Sequence, residues 1–502
     1  MENLALAFSL LADPYVLAVI LAASLFGLFV GAIPGLTATM ATALLVPVTF
    51  FMPPVPAVAA IVSCTAMAIF SGDIPGALLR MPGTPASAAY TDEAYAMTKK
   101  GQAELVLGAG LVFSAVGGIV GSLVLVTAAP MLAEVALKFS SFEYFWLVLL
   151  GLTCAVFIAS DRPLRGFVAL LLGLLLSTVG LNNPAAHPRF SFGSDALLGG
   201  ISFIPMMIGM FAVSEVLRFV VSDRQRALTL AQEKIGNVFK GQWTLIRRYP
   251  LALLRGSGVG ALIGALPGAG ADIAAWISYA ISKKFSRTPE KFGTGHVEGV
   301  VESGAANNSA LSGAWIPALV FGIPGDSITA IAIGVLYLKG MNPGPTIFLN
   351  HPENIYAVFI VFFLANVLMI PLGLMAIKLY KQILRVPRRV LMPVILSFCM
   401  VGAFAINNTA FDIGVMLTAG VIAFFMERNG FPIAPVILGV VLGGMFEENF
   451  ANSMIKAEGN WLAFFERPIA GTLGVVTLLV WLSPLALGWW RRVRSILYSR
   501  RL

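Results

Sequence analysis

Long apolar stretches alternate with short polar segments along the whole chain of 502 residues. A stretch of about 17 or more apolar residues is long enough to cross roughly 30 Å of hydrocarbon as a helix. On this pattern we predict membrane spans at about 105–128, 143–160, 163–181, 197–221, 354–377, 391–407, 411–427, 432–446 and 468–490. The pattern is typical of an all-α polytopic membrane protein.

Two further apolar stretches are interrupted by a Gly-x-x-Pro-Gly run. Residues 15–50 contain GAIPGLT and residues 250–283 contain GALPGAG. Proline and glycine break the hydrogen-bond ladder of a helix, and unpaired backbone inside a bilayer is tolerated only beside protein or a water-filled cavity. We therefore predict a re-entrant hairpin at each of these stretches.

Two later stretches, 57–90 and 299–340, are also broken, by MPGTPASAA and by IPGDSITA. The four breaks recur in order: GAIPG and GALPG are 233 positions apart, and PGTPAS and PGDSIT are 242 apart. This recurrence predicts two copies of one unit, each with a re-entrant hairpin, a broken crossing and four spans. With the last apolar stretch, the chain has about 10–12 transmembrane segments.

The flanking charges predict that the two copies are inverted. Basic residues stand at both ends of 250–283, whereas the uncharged FFMPPVPAV follows 15–50. Because cytoplasmic loops carry an excess of Lys and Arg, the second hairpin enters and leaves on the cytoplasmic side and the first on the outer side. We expect a first membrane repeat at 1–222, a basic cytoplasmic linker at 223–248, a second repeat at 249–450, and an extra helix with a basic tail at 451–502.

Composition and charge narrow the class further. The chain is 58% hydrophobic and 12% charged, too few polar residues to cover a soluble protein of this size. The net charge of +8 is concentrated beside apolar segments, so it predicts cytoplasmic anchors rather than a nucleic-acid surface. We expect a multi-pass protein of the bacterial inner membrane with a cytoplasmic C-terminus, a periplasmic N-terminus and no cleaved signal peptide.

The broken helices are the candidate binding site. A half-helix amino terminus presents free N–H groups suited to a carboxylate, and unwound carbonyls suit Na⁺. We nominate the glycines and hydroxyl residues of the breaks, which are Gly35, Thr37, Thr39, Gly83, Thr84, Ser87, Gly268, Gly270, Gly325, Ser327 and Thr329. The alternative is that these small residues only let helices pack closely.

Four charged residues lie inside or beside the breaks: Asp73, Arg80, Asp272 and Asp326. An intramembrane charge is normally paired or functional. Asp73 and Arg80, seven positions apart, either neutralise each other, or Arg80 holds a solute carboxylate while Asp73 or Asp272 binds a coupling proton or cation. No cofactor beyond such a coupling Na⁺ or H⁺ is expected.

The segment VESGAANNS adds Glu302, Asn307 and Asn308 to the candidates. Two amides and a carboxylate near a break either line a cavity with donors and acceptors or cap helices at an interface. Both interpretations remain open at the level of the sequence.

Several motifs resemble those of one transporter family. GAIPGLTATMATALLVPVTF, GALPGAGADIAAWISYAISKK and GVVESGAANNSALSGAWIPALVFGIPGDSITA resemble the large membrane subunit of tripartite tricarboxylate transporters, and the similarity runs from about residue 15 to 475. The resemblance implies a translocation path for organic carboxylates driven by an ion gradient. It also implies two partners, a small four-span membrane subunit and an extracytoplasmic solute-binding protein, and no enzymatic activity.

The chain departs from the family pattern around the breaks. Asp73 and Arg80 occur in SGDIPGALLR where the family commonly has a Gly-Gly-Ser-Ile run, and Asp272 stands where a small hydroxyl residue is common. The solute therefore need not be citrate. A passive channel or a non-transporting assembly subunit is the alternative function, and the intramembrane aspartates lack the Gly-x-Gly-Asp context of aspartyl proteases.

Overall fold

The computed structural model describes residues 2–158, 163–181, 187–221, 235–383 and 388–481. Within these ranges the chain is almost wholly helical, and no strand is present. The first half contains α1 (Glu2–Leu11), α2 (Pro14–Gly31), α3 (Ala38–Thr49), α4 (Pro54–Ser71), α5 (Asp73–Leu79), α6 (Pro85–Lys99), α7 (Ala103–Ala136), α8 (Ser141–Ile158), α9 (Pro163–Ser177), α10 (Phe203–Ile208), a π-helical turn (Gly209–Val213) and α11 (Ser214–Val221).

The second half begins with α12, which lies in the described part of the predicted linker. It contains α12 (Gln242–Arg248), α13 (Pro250–Gly264), α14 (Gly270–Phe285), α15 (Val297–Phe321), α16 (Ser327–Leu338), α17 (Ile347–Asn350), α18 (Pro352–Ile383), α19 (Arg388–Asn407), α20 (Ala410–Arg428), α21 (Ala434–Lys456), α22 (Ala463–Glu466) and α23 (Pro468–Trp481). Short 3-10 turns lie at Asp195–Leu197 and Pro289–Lys291.

Eight helical segments of the described residues are long and apolar enough to cross a membrane. They are α2, the continuous segment Pro54–Leu79, α7, the segment Phe203–Val221, α18, α19, α20 and α21. Six of the predicted spans fall on these segments, and the predicted spans at 143–160, 163–181 and 468–490 fall on the shorter apolar helices α8, α9 and α23. The polytopic all-α prediction is confirmed. The basic tail beyond residue 481 and the first part of the linker, residues 223–234 with Arg224, Arg226 and Lys234, lie outside the described residues.

All four predicted breaks are present as gaps between helices. Residues 32–37 separate α2 from α3, and residues 265–269 separate α13 from α14. The breaks at 80–84 and 322–326 precede α6 and α16. A turn at Gly72 also separates α4 from α5 within the first crossing, which the sequence pattern did not predict.

Within each half, small residues bring the first helix of the hairpin into close contact with the crossing that follows. A Cβ at Gly27 of α2 would lie 2.2 Å from the carbonyl oxygen of Cys64 in α4. A Cβ at Gly260 of α13 would lie 2.4 Å from the carbonyl oxygen of Ala306 in α15. Since no side chain fits at such distances, both hairpins pack by direct backbone contact. The same pairing in both halves agrees with two copies of one unit; that the copies are inverted stays a prediction.

The central helices α7 and α15 form the core on which the broken helices rest. A Cβ at Gly117 of α7 would lie 2.3 Å from the carbonyl oxygen of Ala305, so these two helices also touch through their backbones. Helix α15 is buried from Gly299 to Val320. A helix that is buried on all sides needs no polar face, and its few polar residues must therefore find partners inside the protein.

Candidate functional site

A cavity of about 610 Å³ lies where the four breaks meet. A residue in or just after each break lines its wall: Thr37 at the first, Thr84 at the second, Asp272 at the third and Asp326 at the fourth. Because each of these residues stands at or within one turn of the amino terminus of α3, α6, α14 or α16, the cavity collects four helix amino termini. Such termini carry partial positive charge and unpaired N–H groups, which favour anions.

Side chains cap three of these amino termini. Thr37 Oγ1 accepts a hydrogen bond from the amide of Met40 at 3.2 Å. At α6, Thr84 Oγ1 accepts from the Ser87 amide at 3.1 Å, while Ser87 Oγ accepts from the Thr84 amide at 3.1 Å. This reciprocal arrangement satisfies two otherwise unpaired amides and starts the helix at a defined residue.

The fourth break repeats the same device with a carboxylate. Asp326 Oδ1 accepts from the Thr329 amide at 2.8 Å, and Thr329 Oγ1 accepts from the Asp326 amide at 2.9 Å. Asp326 therefore holds the start of α16 as Thr84 holds that of α6. Thr329 and Ser87 serve the caps and are not in the cavity wall, whereas Asp326 and Ser327 line it.

The predicted glycines shape the breaks. Gly35, Gly268 and Gly270 have φ angles of 90°, 82° and 56°, in the left-handed region that favours glycine. A Cβ at Gly83 would lie 2.9 Å from the carbonyl oxygen of Gly31, and one at Gly325 would lie 2.8 Å from that of Gly264. The two halves therefore join their breaks through the same contact.

Helix α14 of the second half contacts the start of α6 in the first. Asp272 Oδ1 accepts a hydrogen bond from the amide of Ala86 at 3.2 Å, and Trp276 Nε1 donates to the carbonyl oxygen of Pro85 at 3.2 Å. These bonds place a carboxylate of one half at a helix amino terminus of the other, where the helix dipole stabilises it.

An ionic cluster forms another part of the cavity wall. Arg218 of α11 lies 3.0 Å (Nη1 to Oε2) from Glu215 and also pairs with Glu427 of α20. All three side chains line the cavity, and Arg218 is the one basic side chain among the described lining residues. Sequence reasoning missed this cluster, although two charges at Glu215 and Arg218 inside the predicted span 197–221 were a signal for it.

The structure places Asp73 and Arg80 apart, and neither is in the cavity wall. Arg80 Nε lies 2.8 Å from Asp92 Oδ1, and the Arg80 side chain is 62% exposed. The pairing of Arg80 with Asp73 is therefore wrong, because α5 ends at Leu79 and the left-handed residue Arg80 after it pairs with Asp92. Asp73 is buried and accepts a hydrogen bond from the hydroxyl of Tyr90 at 2.6 Å.

The segment VESGAANNS divides between structural and cavity-facing positions. Glu302 is fully buried and accepts two hydrogen bonds from Arg255 of α13, at 2.6 and 2.5 Å, so it joins α15 to α13. Asn308 contacts Met369 of α18. Asn307 alone of the three lines the cavity.

Eight of the nominated residues thus share one cavity. They are Thr37, Thr39, Thr84, Gly268, Asp272, Asn307, Asp326 and Ser327. Gly35, Gly83, Gly270 and Gly325 hold the backbone of the breaks, and Ser87 and Thr329 complete the caps. Arg80, Asp73, Glu302 and Asn308 lie elsewhere. That any of these residues binds a solute or an ion stays a prediction.

Comparison with known proteins identifies a family for most of the chain. Residues 17–438 match the profile of the tripartite tricarboxylate transporter TctA family. The match covers all four breaks, the central helices α7 and α15, and both halves of the cavity.

Two curated relatives come from Agrobacterium vitis. The uncharacterized 52.8 kDa protein in the TAR-I ttuC' 3' region is 34% identical over 477 residues, covering 95% of this chain and 94% of its own length. An uncharacterized protein in the TAR-II ttuC' 3' region is 35% identical over 228 residues, covering 45% of this chain and 94% of its own length. No solved structure matches the chain.

Proposed function

Because this chain belongs to the tripartite tricarboxylate transporter TctA family, we propose that it forms the path by which organic tricarboxylates or dicarboxylates cross the inner membrane. In this proposal an inward Na⁺ or H⁺ gradient drives the import. A periplasmic binding protein delivers the solute, and a small four-span membrane subunit completes the assembly.

The observation that carries the proposal is the meeting of four helix amino termini at one cavity. Free N–H groups at helix starts bind carboxylate oxygens, and the glycines of the breaks let a ligand approach the backbone closely. Broken helices from two halves that meet inside the membrane are also the recurrent plan of secondary transporters. A subunit with only an assembly role has no need of such a cavity.

The charges of the cavity support import together with a cation. Its described lining holds four carboxylates against one guanidinium, which are Asp272, Asp326, Glu215, Glu427 and Arg218. A tricarboxylate that enters this wall adds further negative charge, and a coupling proton or Na⁺ offsets part of the repulsion. Such compensation makes solute and cation binding mutually dependent, as symport requires.

We assign the contact with the solute carboxylate to Arg218, whose guanidinium has the planar donor geometry that carboxylates match. Arg218 and Glu427 lie near the carboxyl ends of α11 and α20, which the predicted orientation puts at the cytoplasmic side. The Arg218 side chain is 46% exposed, which supports access of the solute to this part of the cavity.

Uptake measurements with Arg218→Gln test this assignment. A charge-assisted hydrogen bond contributes about 1.5–3 kcal/mol, so we expect the KM for the transported carboxylate to rise roughly 10–100-fold. The chain is to be expressed with the small membrane subunit and the binding protein that the proposal requires. Radiolabelled citrate and dicarboxylates are to be supplied with and without ionophores.

The matched control is Arg189→Gln. Arg189 pairs with Glu447 at 2.5 Å and is similarly exposed, but it does not line the cavity. An unchanged KM in Arg218→Gln at normal abundance contradicts the assignment of Arg218. Flux that persists without any gradient and never concentrates the solute favours a passive channel, and absence of carboxylate flux contradicts the proposed function itself.

A further inference from the structure

Asp73 is a buried carboxylate with one hydrogen bond. Its Oδ1 accepts from the Tyr90 hydroxyl at 2.6 Å, while its Oδ2 is buried without a partner. The ion pairs of the described residues do not include Asp73, and Arg80 is engaged by Asp92 instead. An ionised carboxylate inside the membrane costs at least about 2.5–3.5 kcal/mol when nothing offsets it. Asp73 therefore requires either a proton or a bound metal cation.

The surroundings of Asp73 suit a proton better than a metal cation. The void beside it has a volume of about 10 Å³, enough for one water at most, and apolar side chains form most of its wall. The hydroxyls of Ser87 and Thr91 in this wall donate to main-chain carbonyls at 2.8 Å each. A hard cation needs several oxygen ligands at once, and this void does not offer them.

Few other charged groups face Asp73 from the helices packed against α5. Among the described residues in the wall of the void, Tyr90 of α6 is the one further titratable group, and α4 and α7 present Phe70, Val106, Leu107 and Gly110. The other acidic side chains nearby on α6 and α7 bind partners outside the void. Asp92 pairs with Arg80, Glu93 accepts from the amides of Gly295 and His296, and Glu104 accepts from the amide of Gly236.

A chain of side chains connects Asp73 with the large cavity. The Tyr90 hydroxyl accepts a hydrogen bond from Asn307 Nδ2 at 3.3 Å, and Asn307 lines the cavity. The Oδ1 atom of Asn307 is buried without a partner. A connected series of hydrogen-bonded side chains therefore leads from the large cavity to the void, through Asn307, Tyr90 and Asp73.

We propose that Asp73 takes up the coupling proton of this transporter and that Tyr90 and Asn307 link its protonation to the occupancy of the solute cavity. This inference rests on the proposed function and specifies its driving ion. A proton from the external solution adds to Oδ2 and converts the carboxylate to the neutral acid. The same proton leaves to the cytoplasm after the solute is released, so the carboxylate is restored and no redox partner is needed.

Proteoliposomes that contain the chain with its co-purified membrane partner test the proposal. In wild-type protein, an acid exterior drives accumulation, and one unit of pH supports roughly tenfold accumulation per proton. Asp73→Asn keeps the shape and the Tyr90 hydrogen bond but cannot ionise. We expect it to exchange labelled for unlabelled solute within about twofold of the wild-type rate, while losing the roughly tenfold accumulation.

Two further variants keep the test decisive if Asp73→Asn does not fold. Tyr90→Phe removes the link but keeps the ring, and we expect it to weaken the dependence of uptake on external pH while solute exchange continues. Asp92→Asn is the matched control, since it removes an exposed carboxylate of α6 that pairs with Arg80. It leaves both accumulation and exchange unchanged.

The outcomes separate this inference from the proposed function. Accumulation by Asp73→Asn that still follows the pH gradient overturns the assignment of Asp73. Wild-type accumulation that needs Na⁺ and ignores the pH gradient also overturns it, although the transport function then stands. A wild-type preparation that moves no carboxylate, even by exchange, contradicts the proposed function.

Discussion

The two broken-helix units share a scaffold but differ in their chemistry. The first unit has its breaks at 32–37 and 80–84, and the second has them at 265–269 and 322–326. In each unit a Gly-x-x-Pro-Gly break is held against a second break by a glycine, Gly83 on Gly31 and Gly325 on Gly264. Each second break is followed by a helix with a reciprocal cap. The residues that the two units share serve packing and capping, and several of the positions that differ face the cavity.

Negative charge is concentrated in the second unit. At an offset of 242 positions, Thr84 in the first unit corresponds to Asp326 in the second; at 233 positions, Thr39 corresponds to Asp272. All four residues line the cavity. One side of the cavity therefore offers hydroxyls at helix starts and the other offers carboxylates. An asymmetric solute with a coupling cation fits such a wall better than two equal ligands do.

The helices that precede the second break of each unit, α4 with α5 and α15, differ as well. Helix α15 runs without interruption, whereas its counterpart is divided at Gly72 into α4 and α5. At an offset of 242 positions, Asp73 corresponds to Trp315 and Arg80 to Gly322. The first unit therefore has a buried acid, Asp73, where the second has a buried ring, and the proton proposal depends on this difference.

The largest expected effect concerns the relative orientation of the two units. If they are inverted, the loops after α6 and α16 lie on opposite sides of the membrane. Gln102 and Asn342 are exposed residues in these loops, and each is replaced by cysteine in its own variant. In a background with Cys64, Cys154 and Cys399 replaced by alanine, we expect a membrane-impermeant maleimide to label Asn342→Cys in intact spheroplasts and Gln102→Cys only after permeabilisation.

The control for the labelling is the variant Glu290→Cys. Glu290 is an exposed residue in the loop after α14. The basic residues around this loop predict that it is cytoplasmic, so it is labelled together with Gln102→Cys. Labelling of Gln102→Cys and Asn342→Cys from the same side shows that the units are parallel, and the inverted arrangement is then wrong.

The next expected effect concerns the glycine contact between the two breaks of each unit, made by Gly83 in the first unit and by Gly325 in the second. Alanine at Gly83 would place Cβ 2.6 Å from Cα of Gly72, and alanine at Gly325 would place it 2.7 Å from Cβ of Ala314. Overpacking of this kind costs about 1–3 kcal/mol. We therefore expect similar losses of thermal stability in detergent for both variants. Gly258→Ala, with no atom within 4 Å of the added Cβ, is the control. Clearly unequal losses mean that the two contacts are not equivalent.

The sequence predicted the scaffold well because proline and glycine act locally. Their breaks ended helices within a few residues of the predicted positions, and α20 (Ala410–Arg428) matches the predicted span 411–427 closely. Long-range partners carry no local signal. Arg218 meets Glu427 from 209 positions away. Asn307 and Asn308 are adjacent in sequence, yet one faces the cavity and the other Met369, because neighbouring helical residues point about 100° apart.

The smallest expected effect concerns Arg80, whose φ of 56° is unfavourable for any residue with a Cβ. Its counterpart Gly322 has a φ of 69° at the same kind of helix end. Arg80→Gly relieves a strain of about 1–2 kcal/mol and loses an exposed ion pair that contributes about 0–1 kcal/mol. We expect equal or slightly higher thermal stability and unchanged uptake. Arg80→Ala keeps the strain and loses the pair, so it is slightly less stable but transports equally well. Reduced uptake by both variants at normal membrane abundance would instead return Arg80 to the solute-binding residues and place the functional difference between the units at α5.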